Sequence, residues 1–564
     1  MQTTNTRKGL IGRCASQGLM TLPHIPANAF TIFALTTAAF TLLTTAVVDE
    51  KNPIRGRAYE TRQVIMALKG LDMPLDRLWV VLPVAAILYY LTTTFISWYR
   101  LRHIPGPRLA AFSYLWLART AMSGRQWWVY RDMCQQYGPL IRVGPNELST
   151  DDPEVLRQIN AARGSYGRDP WYVAARFDPY HDNVFTMLHA DQHDRFKAKI
   201  ASAYAGKGIP ALEEGIDDQI RALLDLLRRK YLTQAVDLAE ITSFFSMDVI
   251  TRSAFGREFG YLKTDSDVYG FLGGVRDNWA ALAVALDIPY IRRVLFSSWF
   301  LKYFGPKATD QTGLGKLMGV AEEVVAKRFA PDGKQEKDML GSFIDHGLTR
   351  QECATEALFM IIAGFENTSC VIRTTMLYLM TSPRVTQKLK TVISEAIRNG
   401  KASHPITYEE AKRIPYLQAV VYEGIRMRPP APGLYPKSVP PQGDVIHGKF
   451  IPGGTAIGMN TGSLVRSKAL FGQDADFFRP ERFMEADETK RVEMERNTEM
   501  VFGYGRWMCA GKPVAFMEIH KVLFELTRAF DFQLVDPMKP WNSISYSQFI
   551  DEDMWVRLRE ANES

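Results

Sequence analysis

Residues 502–511 read FGYGRWMCAG and place one cysteine, Cys509, in a glycine-punctuated turn immediately before a helix. Gly503, Gly505 and Gly511 allow positive φ and let another body approach the backbone closely. Backbone N–H groups aimed at the sulfur, with the start of the following helix behind them, favour a thiolate. Such a site suits a metal ligand. The stretch 510–526 has helical period, with Val514, Met517, Val522, Leu523 and Leu526 on its apolar face. On residue types alone, a buried structural thiol beside a glycine turn fits equally well.

The chain around this turn has 564 residues, 46% hydrophobic and 12% aromatic, enough to bury one large core or two moderate ones. Five cysteines (Cys14, Cys134, Cys353, Cys370, Cys509) show no CxxC spacing, which speaks against a disulfide scaffold or a zinc module and for a reducing compartment. The net charge of +7 is mild and no run of five or six like charges occurs, so nucleic acid is not implied. A weak basic bias fits an acidic redox partner or an anionic membrane face; an ordinary solvated surface gives the same bias.

Two apolar stretches, 27–48 and 78–98, each exceed the roughly 20 residues a helix needs to cross a bilayer. The second is the better anchor: it ends in Trp98 and Tyr99 and is followed by Arg100 and Arg102, the flank expected on the cytosolic side. If both spanned, the basic connection 49–77 would face the wrong side. The segment 27–48 is therefore read as a processed or loosely inserted piece, or as upstream of a start at Met73. The expected division is an extension 1–72, an anchor with its basic flank 73–103, and a catalytic domain 104–564.

After His103-Ile104-Pro105-Gly106-Pro107, where the prolines forbid helix continuation, strand-like runs appear from about 139 and a helix at 152–162. Helical period then covers 211–230, 235–256, 266–288, 315–330, 350–381, 384–399, 408–427 and 510–530, with short strands expected at 445–458 and 531–558. The 350–381 stretch opens on a capping-box pattern, Thr349-Arg350-Gln351-Glu352, and closes at Thr381-Ser382-Pro383. At about 1.5 Å per residue it is on the order of 48 Å long, enough to cross a domain. Its middle, AGFENTS (363–369), puts small and polar residues where a helix buried on all sides should be apolar. A kink with Ser and Thr bonded back to the preceding turn is the bland explanation.

Phe502, Gly505, Cys509 and Gly511 stand at the spacing of the haem-binding loop of the cytochrome P-450 family, which this stretch resembles. In that family the cysteine sulfur is the proximal ligand of haem iron, and its thiolate pushes electron density that favours O–O cleavage. The family usually carries, two residues before the cysteine, a cation for a haem propionate; here Trp507 stands there and Arg506 one step earlier. AGFENTS resembles the family's oxygen-activating helix, with Ala363, Gly364 and Glu366 matching, Asn367 at the usual Thr position, and Thr368 about 100° further round. The resemblance implies catalytic roles for Glu366, Asn367 and Thr368. A carboxamide holds a water without titrating, so Asn367 is expected to orient water while Glu366 gates proton supply.

Glu423 and Arg426 in EGIR, and Arg482 in PERF (480–483), resemble the family's ExxR and PERF motifs, which implies a buried three-member network holding the cysteine loop. His193 and Lys197 fall where the family carries Trp or His followed four residues later by Arg, and Lys437 where a further Arg often stands. Lys197, Lys437 and Arg506 are thereby implied as propionate partners, with His193, Phe502 and Gly511 completing the cofactor-binding set. The HIPGP segment resembles the family's proline hinge. GRWMCAGK and HDRFKAKIASAYAGK resemble the fungal pisatin-demethylase-like group.

The resemblance, spanning about 104–560, implies a mainly α fold with a small β region, a cytochrome P-450 fold behind an N-terminal transmembrane anchor. It implies haem b with an axial Cys thiolate, and electrons from NADPH through NADPH-cytochrome P-450 reductase. The implied activity is insertion of one oxygen atom from O2 into an apolar small molecule of fungal secondary metabolism. The implied place is single-pass in the endoplasmic reticulum membrane, catalytic domain on the cytosolic face. Pocket walls are expected from 170–188, 276–300, 357–365, 430–436 and 543–549. Two other readings stay open: a haem-thiolate isomerase or dehydratase needing no O2, and a non-enzymatic membrane protein with a structural cysteine.

Overall fold

Thirty-two residues, Arg350–Thr381, form the longest helix among the described residues. The computed structural model describes residues 75–206, 209 and 211–561; the segment 27–48 and the start at Met73 lie outside them. Thr349 and Glu352 close the capping box reciprocally, each accepting the other's backbone N–H, and Pro383 ends the run by opening the next helix, Pro383–Arg398. Side chains such as Ala357, Ile361, Phe365 and Ile372 are buried around this central helix, as expected of one apolar on most faces. By length and composition this helix could cross a membrane, yet 72% of its apolar window is buried in the fold.

Two crossings fix neighbours to it. A Cβ at Gly424, in the helix Pro415–Met427, would lie 2.0 Å from Thr375 Oγ1, so only glycine lets these helices approach. A Cβ at Gly364 would meet Ile250 Cγ1 at 2.8 Å, so Gly364 serves the crossing with Leu238–Phe255 as well as the cavity described below. The expected helix 408–427 is two helices, Tyr408–Lys412 and Pro415–Met427, because Pro415 cannot continue the first and suits the first turn of the second.

The β part is small. Five strands pair in the order Leu140–Arg142, Glu147–Thr150, Ala456–Met459, Lys437–Ser438, Gly167–Arg168, with only the 147–150 and 456–459 pair parallel. Phe530–Leu534, Trp555–Glu560 and Val236–Asp237 form a second sheet, and Asn542–Ser545 pairs with Phe549–Glu552.

The chain divides into two units, one ending at Ile96 and one beginning at Ser97. The first, as described, is the body of the 27-residue helix Leu75–Leu101, and from residue 83 on it exposes apolar side chains including Ile87, Leu91 and Ile96. At the start of the second unit, buried Arg142 donates to the carbonyls of Ser97 and Trp98 at 3.0 and 3.3 Å.

Candidate active site

The cysteine loop closes on itself. Cys509 N–H donates to Phe502 O at 2.7 Å, and Gly503 and Gly505 take φ of +77° and +59°. Gly511 differs from the expectation: its φ is −77°, and it caps the helix Lys512–Ala529. The backbone N–H groups of Gly511 and Lys512, at the start of that helix, are directed at the sulfur. Burial pushes the Cys509 thiol above its ordinary range, opposed by these N–H groups and by Lys197. The accessible surface of Cys509 belongs to an internal cavity of about 310 Å³. Lys197 Nζ donates to the carbonyls of Arg506, at 2.8 Å, and Met508, fastening the loop from the helix Ala190–Tyr204.

The central helix supplies another wall. Ala363, Gly364, Asn367, Thr368 and Val371 line the cavity. Asn367 Nδ2 donates to Ala363 O at 2.8 Å, while its Oδ1 is buried without a partner. Glu366 is not brought to this wall. Its carboxylate pairs with Arg373 and accepts from Ser243 Oγ at 3.3 Å, and Arg373 in turn binds Asp551 at 2.7 Å. Burial raises the Glu366 pKa and Arg373 opposes the rise. The residue lines instead a water-sized cavity of about 10 Å³ with Arg276 and Asp551.

A third wall carries positive charge. Strands 167–168 and 437–438 pair with Arg168 directly opposite Lys437, an arrangement of like charges that costs stability unless an anion sits between them. Arg168, Lys197 and Lys437 all line the cavity, and among the described residues none of the three makes a salt bridge. Burial pushes Arg168 down to about 10, Lys437 well below the ordinary lysine range, and Lys197 down as well. Arg168 Nη1 donates to the carbonyls of Val184, Phe185 and Met187 at 2.6, 2.8 and 3.2 Å, while its Nε has no partner. Lys437 Nζ donates to Tyr172 Oη at 2.6 Å. His193, pushed down to about 4 by burial and by Arg168, is neutral and packs its ring 4.6 Å from that of Trp507.

Of the expected site residues, the structure gathers Cys509, His193, Lys197, Lys437, Phe502, Gly511, Asn367 and Thr368 around one cavity. It turns away two. Arg506 donates to Ala162 O and lies 3.6 Å from Asp194, held at the loop's outer side. Glu366 faces the opposite flank of its helix. Of the expected walls, 170–188, 357–365 and 430–436 contribute, through Tyr172, Phe185, Phe359 and Tyr435 among others, whereas 276–300 and 543–549 do not line this cavity. Sequence reasoning missed Arg168, whose only signal is its pairing with residue 437, far away in the chain.

Behind the loop, Glu423 is fully buried and accepts from Arg426 Nε at 2.7 Å, Arg426 Nη2 at 2.8 Å, Arg482 Nε at 3.0 Å and Arg479 N–H at 2.7 Å. The two guanidiniums also bind backbone carbonyls, Arg426 those of Val465 and Ala475, Arg482 those of Phe471 and Asp474.

No cluster of three or more His, Cys, Asp or Glu side chains able to hold a metal occurs among the described residues. A metal on Cys509 therefore needs its other ligands from a group that enters with it. A haem fits: its macrocycle would bring nitrogens, Arg168, Lys197 and Lys437 would hold its carboxylates, and Cys509 would hold its iron through sulfur. These features define a haem-thiolate protein. The cytochrome P450 family model matches residues 104–550. The chain is 56% identical to the cytochrome P450 monooxygenase aba1 of Botryotinia fuckeliana (strain B05.10), over 82% of this chain and 92% of that one. It is 50% identical to the cytochrome P450 monooxygenase abl1 of Leptosphaeria maculans, over 80% and 81%, and 44% identical to the cytochrome P450 monooxygenase ABA1 of Pyricularia oryzae (strain 70-15), over 84% and 95%. The chain belongs to the cytochrome P450 family, and it is a haem-dependent monooxygenase of secondary metabolite biosynthesis.

Proposed function

We propose that this monooxygenase is anchored in the endoplasmic reticulum membrane by a single helix over 78–98, with 104–564 as its catalytic domain on the cytosolic face. It takes electrons from NADPH through a cytochrome P450 reductase. The exposed apolar side chains of residues 83–96, followed by Arg100 and Arg102, support the anchor. The substrate is an apolar specialised metabolite. Phe185, Phe359 and Met360 line the cavity, and the hydroxyl of Tyr172 is already engaged by Lys437 and by Tyr435 O, which leaves little polar recognition on that side.

Haem, when bound, supplies the iron at which dioxygen is activated. The residues then divide the work. Cys509 holds the group through its sulfur, and Lys197 holds the loop through the carbonyls of Arg506 and Met508. Lys437 neutralises carboxylate charge. Asn367, its amide N–H committed to Ala363, keeps Oδ1 to accept from a water and so orients it, with Thr368 beside it. Glu366 supplies protons only when its carboxyl leaves Arg373, from the small cavity on the helix's other flank.

The observation that carries this reading is one cavity with a solitary thiol on one wall and the Asn367–Thr368 notch on another. The test is Cys509→Ser expressed with a reductase. The parent gives a red-shifted Soret band with carbon monoxide and NADPH-dependent product from extracts of a deletion strain; the variant gives neither. Survival of both in the variant overturns the reading.

A further inference from the structure

We infer that Trp507 donates its indole N–H to a haem carboxylate, and that Arg168, stacked on the same ring, supplies the charge that the cysteine loop lacks. Trp507 is 7% exposed, lines the cavity, and its Nε1 is buried with no acceptor. A buried indole N–H without a partner keeps its full desolvation penalty, so the geometry asks for an acceptor brought in from outside the chain. The Arg168 guanidinium lies 4.6 Å from the Trp507 ring centroid, and its own Nε is a second buried donor without a partner. Lys437 Nζ is 6.0 Å from the same ring. Indole and guanidinium thus form one platform with two unused donors, next to cations that have no anion. Arg506 does not take this role, because it does not line the cavity and its guanidinium lies between Ala162 O and Asp194, 3.6 Å from the latter. The cation normally carried by the loop has been replaced by a neutral donor, and the charge has moved to the strand at 168.

This inference rests on haem occupying the cavity, which the Cys509 variant tests separately. The experiment compares holoprotein of the parent with Trp507→Phe, Trp507→His and Arg168→Met, reading haem transfer to apomyoglobin and the propionate bending bands in resonance Raman. All four keep the thiolate Soret band if the fold and axial bond are intact, so a fault at 507 is distinguishable from a fault at 509. Trp507→Phe keeps the ring and the stacking but deletes the donor. It should release haem about tenfold or more faster, as expected for a hydrogen bond to a charged group, with a shifted propionate band. Trp507→His, which restores a ring donor, should return both readouts toward the parent. Arg168→Met should release haem faster still. Packing alone would leave the propionate band unmoved. Parental release and parental bands in Trp507→Phe overturn the proposal; so does a histidine variant no better than phenylalanine. If Trp507→Phe does not accumulate as holoprotein, parental release and a parental propionate band in Arg168→Met overturn it equally.

Discussion

Replacing Glu423 by glutamine changes one oxygen to an amide nitrogen and removes a charge that two guanidiniums share. Glu423, Arg426 and Arg482 are 0%, 0% and 3% exposed, so water cannot take over. Breaking a buried pair by neutralising one partner costs about 3–5 kcal/mol, and the amide N–H2 would face a donor at 2.7–3.2 Å wherever it turns. Substituting all three residues by leucine is often harmless for buried ion pairs, but not in this fold. Arg426 and Arg482 also satisfy the carbonyls of Val465, Ala475, Phe471 and Asp474, and each orphaned acceptor costs about 1–3 kcal/mol. Urea unfolding of the holoprotein, followed by the carbon monoxide Soret band, measures both. Glu423→Gln should lose about 3–5 kcal/mol and the triple leucine variant at least as much. A triple variant as stable as the parent would refute the reasoning, because the network would then be only an ion pair and not a clasp on the backbone around the loop.

Asn367→Ala should raise peroxide released per NADPH consumed and lower product by about tenfold or more; coupling equal to the parent removes the water-holding role. Burial pushes Glu518 up to about 8, with only Ser246 Oγ, 2.6 Å away, opposing the rise, so the carboxyl is neutral in the fold while the unfolded chain ionises near its ordinary value. Stability is then full at acid pH and lost as pH rises toward 8, so Glu518→Gln should match the parent near pH 4.5 and exceed it by about 4 kcal/mol at pH 8, read by denaturant titration at each pH. Gly424→Ala drives a Cβ to 2.0 Å from Thr375 Oγ1 and should cost about 1–3 kcal/mol in Tm-derived stability. Adding Thr375→Ala, which leaves the next contact at 3.1 Å, should recover most of it.

What was legible in the sequence was local. The capping box at Thr349 and Glu352 needs only residues three apart, and both of its bonds are made. The glycine turn around Cys509 is likewise a short-range instruction, realised at Gly503 and Gly505. What was not legible depends on partners far along the chain. Arg168 looks like one more surface arginine until the strand at 437–438 pairs with it, 269 residues on. The break at Pro415 was written in the sequence, but apolar period carried the expected helix across it.

The helix period also contains a division that the motif concealed. Residues 363, 364, 367, 368 and 371 recur at i, i+1, i+4, i+5 and i+8, a single stripe, and all five line the large cavity. Glu366 and Arg373 are seven apart, two turns on one face, and that face carries the pair with Arg373 and, beyond it, Asp551 and Arg428. Against the cost of burial, Arg428 and Arg373 hold the Asp551 carboxyl well below its usual range, so this face is anchored by charge while the other is left open. Reading small-Gly-x-acid as one functional unit merges two faces with opposite duties. The amide at 367 meets the cavity; the acid at 366 ties the helix to Ser243 and, through Arg373, to Asp551. If Glu366 supplies protons as proposed, each must cross the flank of the helix to reach the notch, and only after the carboxyl leaves Arg373.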